Sequence, residues 1–122
     1  MSYKFYNANA KGRFVNDCVV RSISVAENKT WDETYYELSE LAQEYGILLD
    51  DVNFVEPLLD CRYTRICHDS KLVGEFAEEY PRGTYLITMN GHITCCIDGV
   101  IYDTFDCRDR IMWCAWEVNK KN

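Results

Sequence analysis

The chain has 122 residues, of which 48% are hydrophobic and 14% aromatic, so residues 1–122 suffice for one packed domain but not for two. Its net charge of −7 repels phosphate backbones, which disfavours nucleic-acid binding. No apolar run approaches the roughly 20 residues that span a membrane, and no signal-peptide core opens the chain. We therefore expect a cytoplasmic protein that does not bind membranes, with its seven cysteines as free thiols.

The N-terminal part of the chain predicts an extended arm followed by a helix. Residues Tyr3 to Val15 are polar and aromatic, and Lys11-Gly12 marks a turn. Apolar residues then recur at helical spacing from Val19 to Ala26. Asn16 or Asp17 is expected to cap this helix by accepting a hydrogen bond from a free backbone N–H. Cys18 would then lie in the first turn.

A second helix is indicated by Thr30 and Glu33, which have the spacing of a capping box, and by Gly46, which suits the residue after a helix end. The apolar stripe of this helix contains Trp31, Tyr35, Leu38, Leu41, Ala42 and Tyr45, and its acidic residues are expected to face solvent.

The middle of the chain is less regular. Asp50-Asp51 interrupts it, Phe54 to Leu59 suggests a short helix, and Cys61 to Ile66 suggests a strand. A third helix is expected after a cap at Asp69 or Ser70, and Pro81-Arg82-Gly83 should end it.

Residues Thr84 to Phe105 predict three antiparallel strands joined by tight turns at Asn90-Gly91 and Asp98-Gly99. We expect positive φ angles at both residues of each turn. A two-residue loop at Asp98-Gly99 pairs Ile97 with Val100, Cys96 with Ile101, Thr94 with Asp103 and His92 with Phe105. Because side chains alternate along a strand, His92 and Asp103 then share a face as diagonal neighbours, within hydrogen-bonding reach.

After a charged turn, Ile111 to Val118 predicts a last strand, with Met112, Cys114 and Trp116 on one face and Trp113 on the other. Helices therefore precede strands along the chain. The predicted fold is α+β, with N-terminal helices packed on a C-terminal antiparallel sheet.

Three residues of this layout predict nucleophilic catalysis. Cys18 at a helix N-terminus is expected to favour the reactive thiolate. His92 would act as general base and then general acid, and Asp103 would hold its tautomer. The Cys18 backbone N–H and a nearby amide side chain would form an oxyanion hole. Asn16 and Asn7 are the candidates for that amide, and the sequence leaves both open.

These residues carry a resemblance to a known family. The segments concerned are Asn16-Asp17-Cys18-Val19-Val20-Arg21, Gly91-His92 and Asp98-Gly99-Val100-Ile101-Tyr102-Asp103-Thr104. They resemble the papain-like cysteine peptidase superfamily in its small microbial and phage forms, and they are similar to bacteriocin-processing peptidase domains. The resemblance implies a papain-like fold and a cysteine peptidase, isopeptidase or amidase, with Cys18, His92 and Asp103 as the triad and a peptide or protein as substrate. Two positions differ from the family pattern: Val19 follows the nucleophile, and Gly12 stands where a Gln is usual.

Other interpretations remain open at this point. One is a binding module on the same fold without catalysis, which Val19 and Gly12 favour. His68 is a second possible base, beside Cys67. Zinc could in principle be bound by Cys61, Cys67 and His68 with Cys107 or Cys114, but no Cys-x-x-Cys pair is present, so we expect no metal and no cofactor.

Overall fold

A computed structural model describes residues 3–66 and 71–118, which form an α+β structure of four helices and one six-stranded mixed sheet. In chain order the elements are β1 (Tyr3–Phe5), α1 (Cys18–Glu27), α2 (Trp31–Tyr45), α3 (Val52–Arg62), β2 (Thr64–Ile66), α4 (Val73–Glu79), β3 (Thr84–Met89), β4 (His92–Ile97), β5 (Val100–Asp103) and β6 (Met112–Glu117). None of the helices in these ranges is long and apolar enough to cross a membrane.

The sheet has the strand order β1-β5-β4-β3-β6-β2. Its centre is the predicted antiparallel meander, extended by β6. Strands that precede the meander in the chain supply both edges: β1 pairs with β5 in parallel, and β2 pairs with β6 in antiparallel orientation. The prediction of an antiparallel, C-terminal sheet was therefore wrong at the β1 edge, because this three-residue strand carries too little pattern to be recognised. The strand suggested over Cys61 to Ile66 is present as β2, but only over Thr64–Ile66.

Each face of the sheet carries its own apolar core. Helices α1, α2 and α3 pack on one face against residues such as Leu86, Ile93, Cys95 and Trp116. Helix α4 packs on the opposite face, and that core contains the side chains of Val73, Phe76, Tyr85, Ile87, Met89, Cys96 and Ile101. Cys95 and Cys96 therefore point to opposite faces, as alternation along a strand requires.

The register predicted across the Asp98-Gly99 turn is confirmed. Ile97 pairs with Val100 and Cys96 with Ile101, and both turn residues have positive φ, 50° at Asp98 and 78° at Gly99. The other turn differs from the prediction. Gly91 has a φ of 70°, but Asn90 is not among the described non-glycine residues with positive φ, so this turn is not of type I′.

The two N-terminal helices begin where the sequence indicates. Thr30 and Glu33 form the predicted capping box of α2, and Gly46 follows its end in the left-handed conformation. Helix α1 begins at Cys18 with Asp17 at the N-cap position. The expected side-chain cap is absent, however, because the Asp17 carboxylate turns away from the helix end and binds other groups described below.

The middle of the chain required correction. Helix α3 runs from Val52 to Arg62 rather than over six residues, with Asp51 as its cap, and it takes in Cys61 and Arg62 that were assigned to a strand. Helix α4 begins at Val73, where the Glu75 carboxylate accepts a hydrogen bond from the Leu72 backbone N–H. The caps predicted at Asp69 and Ser70 lie outside the described residues.

A β-bulge in β6 overturns the predicted faces of that strand. Thr88 pairs with Cys114 but Met89 pairs with Met112, so Trp113 is an extra residue opposite one step of β3. Met112 consequently joins the core under α4, whereas Cys114 and Trp116 remain on the α1 side. Trp113 is left 49% exposed beside Cys18 and His92, where it lines a cleft.

Candidate active site

Cys18 is the first residue of α1 and His92 is the first residue of β4, and these two elements pack against each other. The buried Ser22 hydroxyl of α1 donates a hydrogen bond to the Ile93 carbonyl at 2.9 Å, which ties the two elements together beside the site. His92 Nε2 lies 2.7 Å from Asp103 Oδ2. His92 also interacts with the Cys18 thiol, and both residues line the same cleft. The three predicted residues are thus brought together in one chain of contacts.

The electrostatics of this chain favour a thiolate–imidazolium pair. Burial opposes ionisation of Cys18, but hydrogen bonds from His92 and the Ile93 backbone, with the charges of His92 and Arg21, hold the pKa of the thiol below its usual value. Burial likewise opposes the charging of His92, yet its hydrogen bonds with Asp103 and Cys18 raise its pKa to about 9. At neutral pH His92 is therefore protonated, and Cys18 ionises more readily than an ordinary thiol.

Asp103 is nearly inaccessible, with 2% of its surface exposed, and several donors hold its carboxylate. Arg21 Nη1 lies 3.1 Å from Oδ1, which also accepts the Thr104 backbone N–H at 2.7 Å, while Oδ2 faces His92. Burial would raise the pKa of Asp103, but its hydrogen bond and charge interaction with His92 lower it overall. The carboxylate can therefore orient His92 while remaining ionised.

Arg21 extends this network to a second buried carboxylate that sequence reasoning did not place in the site. Its Nε donates to Asp17 Oδ1 at 2.7 Å, and Asp17 Oδ2 accepts from Trp31 Nε1 at 2.9 Å and from Asn9 Nδ2 at 3.2 Å. The i,i+4 spacing of Asp17 and Arg21 was a usable signal for their ion pair. Nothing local in the sequence indicated Asn9 or Trp31, since both reach Asp17 through the tertiary fold.

Cys18 and His92 line an open cleft of about 270 Å³. Asn16 also lines it, so this candidate for the oxyanion hole is close to the nucleophile. The other candidate, Asn7, is engaged elsewhere: its Nδ2 donates to the Arg13 carbonyl at 3.1 Å, and its Oδ1 accepts from the Asn9 backbone N–H. Gly12 lies in the turn of the N-terminal arm and is not among the residues lining the cleft.

A second and larger cleft, of about 590 Å³, adjoins the first. The two share Asn16 and Asp50, but the larger one does not contain Cys18 or His92. Its walls come chiefly from α2 and the segment after it, including Trp31, Tyr35 and Leu48. The smaller cleft is the candidate active site, because it contains both Cys18 and His92, the predicted nucleophile and base.

Two of the described cysteines, Cys96 and Cys107, are buried and poorly suited to be the nucleophile. Burial raises the pKa of Cys96 to about 11 and that of Cys107 to about 12. Cys61 is exposed on α3, apart from buried Cys107. Cys67 and His68 were considered as zinc ligands, and His68 also as a second base. Both residues lie outside the described part of the chain.

One trio of potential metal ligands does occur in the described part of the chain. His92, Asp103 and Cys107 bring their ligand atoms within 4.8 Å of one another. Arg21 binds the same carboxylate, and a guanidinium beside Asp103 repels a cation. The trio is better explained as part of the His92–Asp103 contact than as a metal centre.

Comparison with known proteins gives no independent assignment, since no family model, curated protein or solved structure matches this chain.

Proposed function

We propose that the protein is a papain-like thiol hydrolase, a cysteine peptidase, isopeptidase or amidase, that uses Cys18, His92 and Asp103. One observation carries the proposal: His92 Nε2 is hydrogen-bonded to a buried carboxylate, and His92 shares a cleft with a thiol at a helix N-terminus whose pKa it lowers. A nucleophile bonded to a base that is itself oriented by a third group is the arrangement that covalent catalysis requires.

The reaction follows from the favoured charge states. The Cys18 thiolate attacks the acyl carbon of an amide, forming a C–S bond and placing negative charge on the carbonyl oxygen. When that intermediate collapses, the C–N bond breaks and the imidazolium of His92 gives its proton to the departing amine. His92 then takes a proton from water, whose oxygen attacks the thioester carbon. The acid is released, Cys18 leaves as the thiolate, and His92 is the imidazolium again.

The developing oxyanion needs hydrogen-bond donors near Cys18. Backbone N–H groups in the first turn of a helix have no intrahelical partner, so the first turn of α1 can supply one donor. The Asn16 side chain, exposed at the edge of the same cleft, can supply the second. Asp103 takes no proton in this scheme, because His92 and Arg21 keep it ionised.

The direct test is the order in which the thiols react. Limiting iodoacetamide near pH 6, where an ordinary thiol is protonated, should modify Cys18 before the other cysteines, as mapped by mass spectrometry. His92→Ala should remove this selectivity, whereas Asp106→Asn, at an exposed carboxylate bound to Arg108, should preserve it. Faster modification of Cys61, Cys67 or Cys107 in the native protein would contradict the assignment of the nucleophile.

The alternative function is a binding module on the same fold that engages a partner protein, such as a host protein if the chain is phage-encoded. The observation that favours it is the absence of a dedicated donor at Gly12, which leaves the exposed Asn16 as the amide side chain of the oxyanion hole. A reactive Cys18 combined with no turnover of any amide or ester by the wild type would support this alternative.

A further inference from the structure

The surface around Cys18 carries an unusual concentration of exposed apolar side chains. Five of the large hydrophobic residues that remain exposed line one or other of the two clefts: Val15, Tyr35, Leu48, Val52 and Trp113. Trp31 and Tyr35 stack with their ring centroids 5.0 Å apart and their planes 6° from parallel, which makes a flat wall in the larger cleft. Contiguous exposed apolar surface beside a reactive group is typical of a binding site.

The two clefts are joined at one acidic position. Asn16 and Asp50 line both of them, and Asp50 is exposed and forms no ion pair with a described residue. Glu56 adds a second carboxylate on the Cys18 side, where Arg65 lies 3.6 Å away. Neither cleft has a lysine or arginine among its described lining residues, so the groove presents negative charge to whatever binds there.

We propose that the two clefts form a single groove for an extended peptide segment of the substrate, with a large apolar side chain against Trp31 and Tyr35 and a cationic side chain beside Asp50. This inference rests on the proposed hydrolase and names the class of its substrate. An extended peptide suits the geometry because its side chains project alternately, so adjacent residues can enter different pockets. A volume of about 590 Å³ is ample for an aromatic side chain.

The test uses peptidyl acyloxymethyl ketones, whose carboxylate leaves with the C–O electron pair as a cysteine thiolate forms the C–S bond. Each peptide contains one residue that is Phe or Ser and a neighbouring residue that is Arg or Glu. Every pair is made in both sequence orders, so that no assumption is made about which position faces which cleft. Each inactivation rate constant is divided by the rate constant for iodoacetamide, which reports the reactivity of Cys18 alone. We expect the Phe probes to exceed the Ser probes by about tenfold, and Arg to exceed Glu by about two- to fivefold.

Two variants with matched controls assign these preferences to the groove. Ser39→Trp fills the larger cleft from a half-buried position on α2 and should abolish the preference for Phe, whereas Glu40→Trp, next to it but outside the cleft, should not. Asp50→Lys should reverse the preference for Arg, and Glu44→Lys makes the same change of charge at an exposed residue outside both clefts. The two control variants should react with iodoacetamide at the wild-type rate. Division by the iodoacetamide rate constant corrects for any change that Ser39→Trp or Asp50→Lys makes in the reactivity of Cys18 itself.

The outcomes separate this inference from the proposed function. Normal iodoacetamide reactivity of Cys18 with no preference among the probes would overturn the substrate class and leave the hydrolase standing. The same holds for preferences that Ser39→Trp and Asp50→Lys leave unchanged. Failure of iodoacetamide to select Cys18 would overturn the hydrolase and this inference together.

Discussion

Arg21 Nη1 lies 3.1 Å from Asp103 Oδ1, so the carboxylate that orients His92 is also held from helix α1. The same guanidinium binds Asp17 at 2.7 Å, and only 11% of the Arg21 side chain is exposed. Cys18 and Arg21 lie one turn apart on the same helix, and Asp103 ends β5. Arg21 therefore fixes the helix that bears Cys18 against the strand that bears Asp103, which makes it a positioning residue for the proposed site.

Arg21→Gln should destabilise the protein and change the behaviour of the site. Removing one partner from a buried ion pair leaves two carboxylates short of a counter-charge, at a cost of about 3–5 kcal/mol in unfolding free energy. Because the charge of Arg21 helps to lower the pKa of Cys18, its loss should also raise the pKa of that thiol, which would appear as an upward shift in the pH profile of Cys18 alkylation. Denaturant unfolding and alkylation rates measure the two effects.

Two further variants distinguish positioning by Arg21 from a general loss of charge. Arg82→Gln, at an exposed position, should change stability by less than about 1 kcal/mol. Arg21→Lys keeps the charge but cannot span both carboxylates, so it should restore much of the pH profile and little of the stability. Our interpretation fails if Arg21→Lys and Arg21→Gln have identical pH profiles.

Local rules for turns and helix caps were sufficient to predict most of the secondary structure around Cys18, His92 and Asp103. Asp98-Gly99 determined the register that brings Asp103 to His92, and their contact at 2.7 Å agrees with the expected diagonal pairing. His92 also contacts the Phe105 ring, with centroids 4.8 Å apart, on the same predicted face. These features could be predicted because they depend on a few residues adjacent in sequence.

What could not be predicted depends on contacts distant in sequence. Asp17 looked like a helix cap, yet its carboxylate is taken by Arg21, Trp31 and Asn9, which only the folded chain brings together. The bulge at Trp113 contains no glycine or proline by which it could have been predicted from the sequence. It moves Met112 to the other face of the sheet. At Asp17 and at Trp113, tertiary contacts therefore determine a conformation that differs from the one predicted by local helix-capping and strand-alternation rules.

Asp103→Asn should slow the alkylation of Cys18, whereas Asp106→Asn should leave it near the wild-type rate. An amide at position 103 keeps the shape of the side chain but removes the charge that stabilises the imidazolium of His92. Asp106 is exposed and binds Arg108, so its loss does not reach the site. The measurement is the rate of Cys18 alkylation from about pH 5 to about pH 9 in both variants. If Asp106→Asn slows the alkylation of Cys18 and Asp103→Asn does not, Asp103 is not the residue that orients His92.

The protein should fold without metal. The trio of His92, Asp103 and Cys107 shares its carboxylate with Arg21, whose charge disfavours a cation at that place. Elemental analysis of protein purified without chelator should give far less than one zinc per chain, and added chelator should leave the unfolding midpoint unchanged. Stoichiometric zinc with unfolding on chelation would contradict this expectation.

His92 should also contribute a stability that depends on pH. Its pKa is raised from the ordinary value of 6.5 to about 9 in the folded chain, so folding favours the protonated form. For a raised pKa the contribution is fully present below about pH 6.5 and is lost as the pH rises through about 9, because the unfolded chain releases the proton first. The contribution is on the order of 2–3 kcal/mol at the low-pH end.

In the wild type a Cys18 thiolate lacks one proton where the His92 imidazolium holds one, so their contributions to the pH dependence offset each other between about pH 6.5 and about pH 9. The measurement is therefore the difference in unfolding free energy between Cys18→Ala and Cys18→Ala/His92→Gln, taken from urea titrations at several pH values. That difference should be largest below about pH 6.5 and should shrink steadily toward pH 9. Thr104→Val serves as a control: its hydroxyl accepts from Arg21 at 3.3 Å beside the same carboxylate but does not titrate, so its difference from wild type should be nearly constant over this range. If the difference made by His92→Gln in the Cys18→Ala background is equally constant, Asp103 does not raise the pKa of His92, and the role given to Asp103 in charging the imidazole would have to be abandoned.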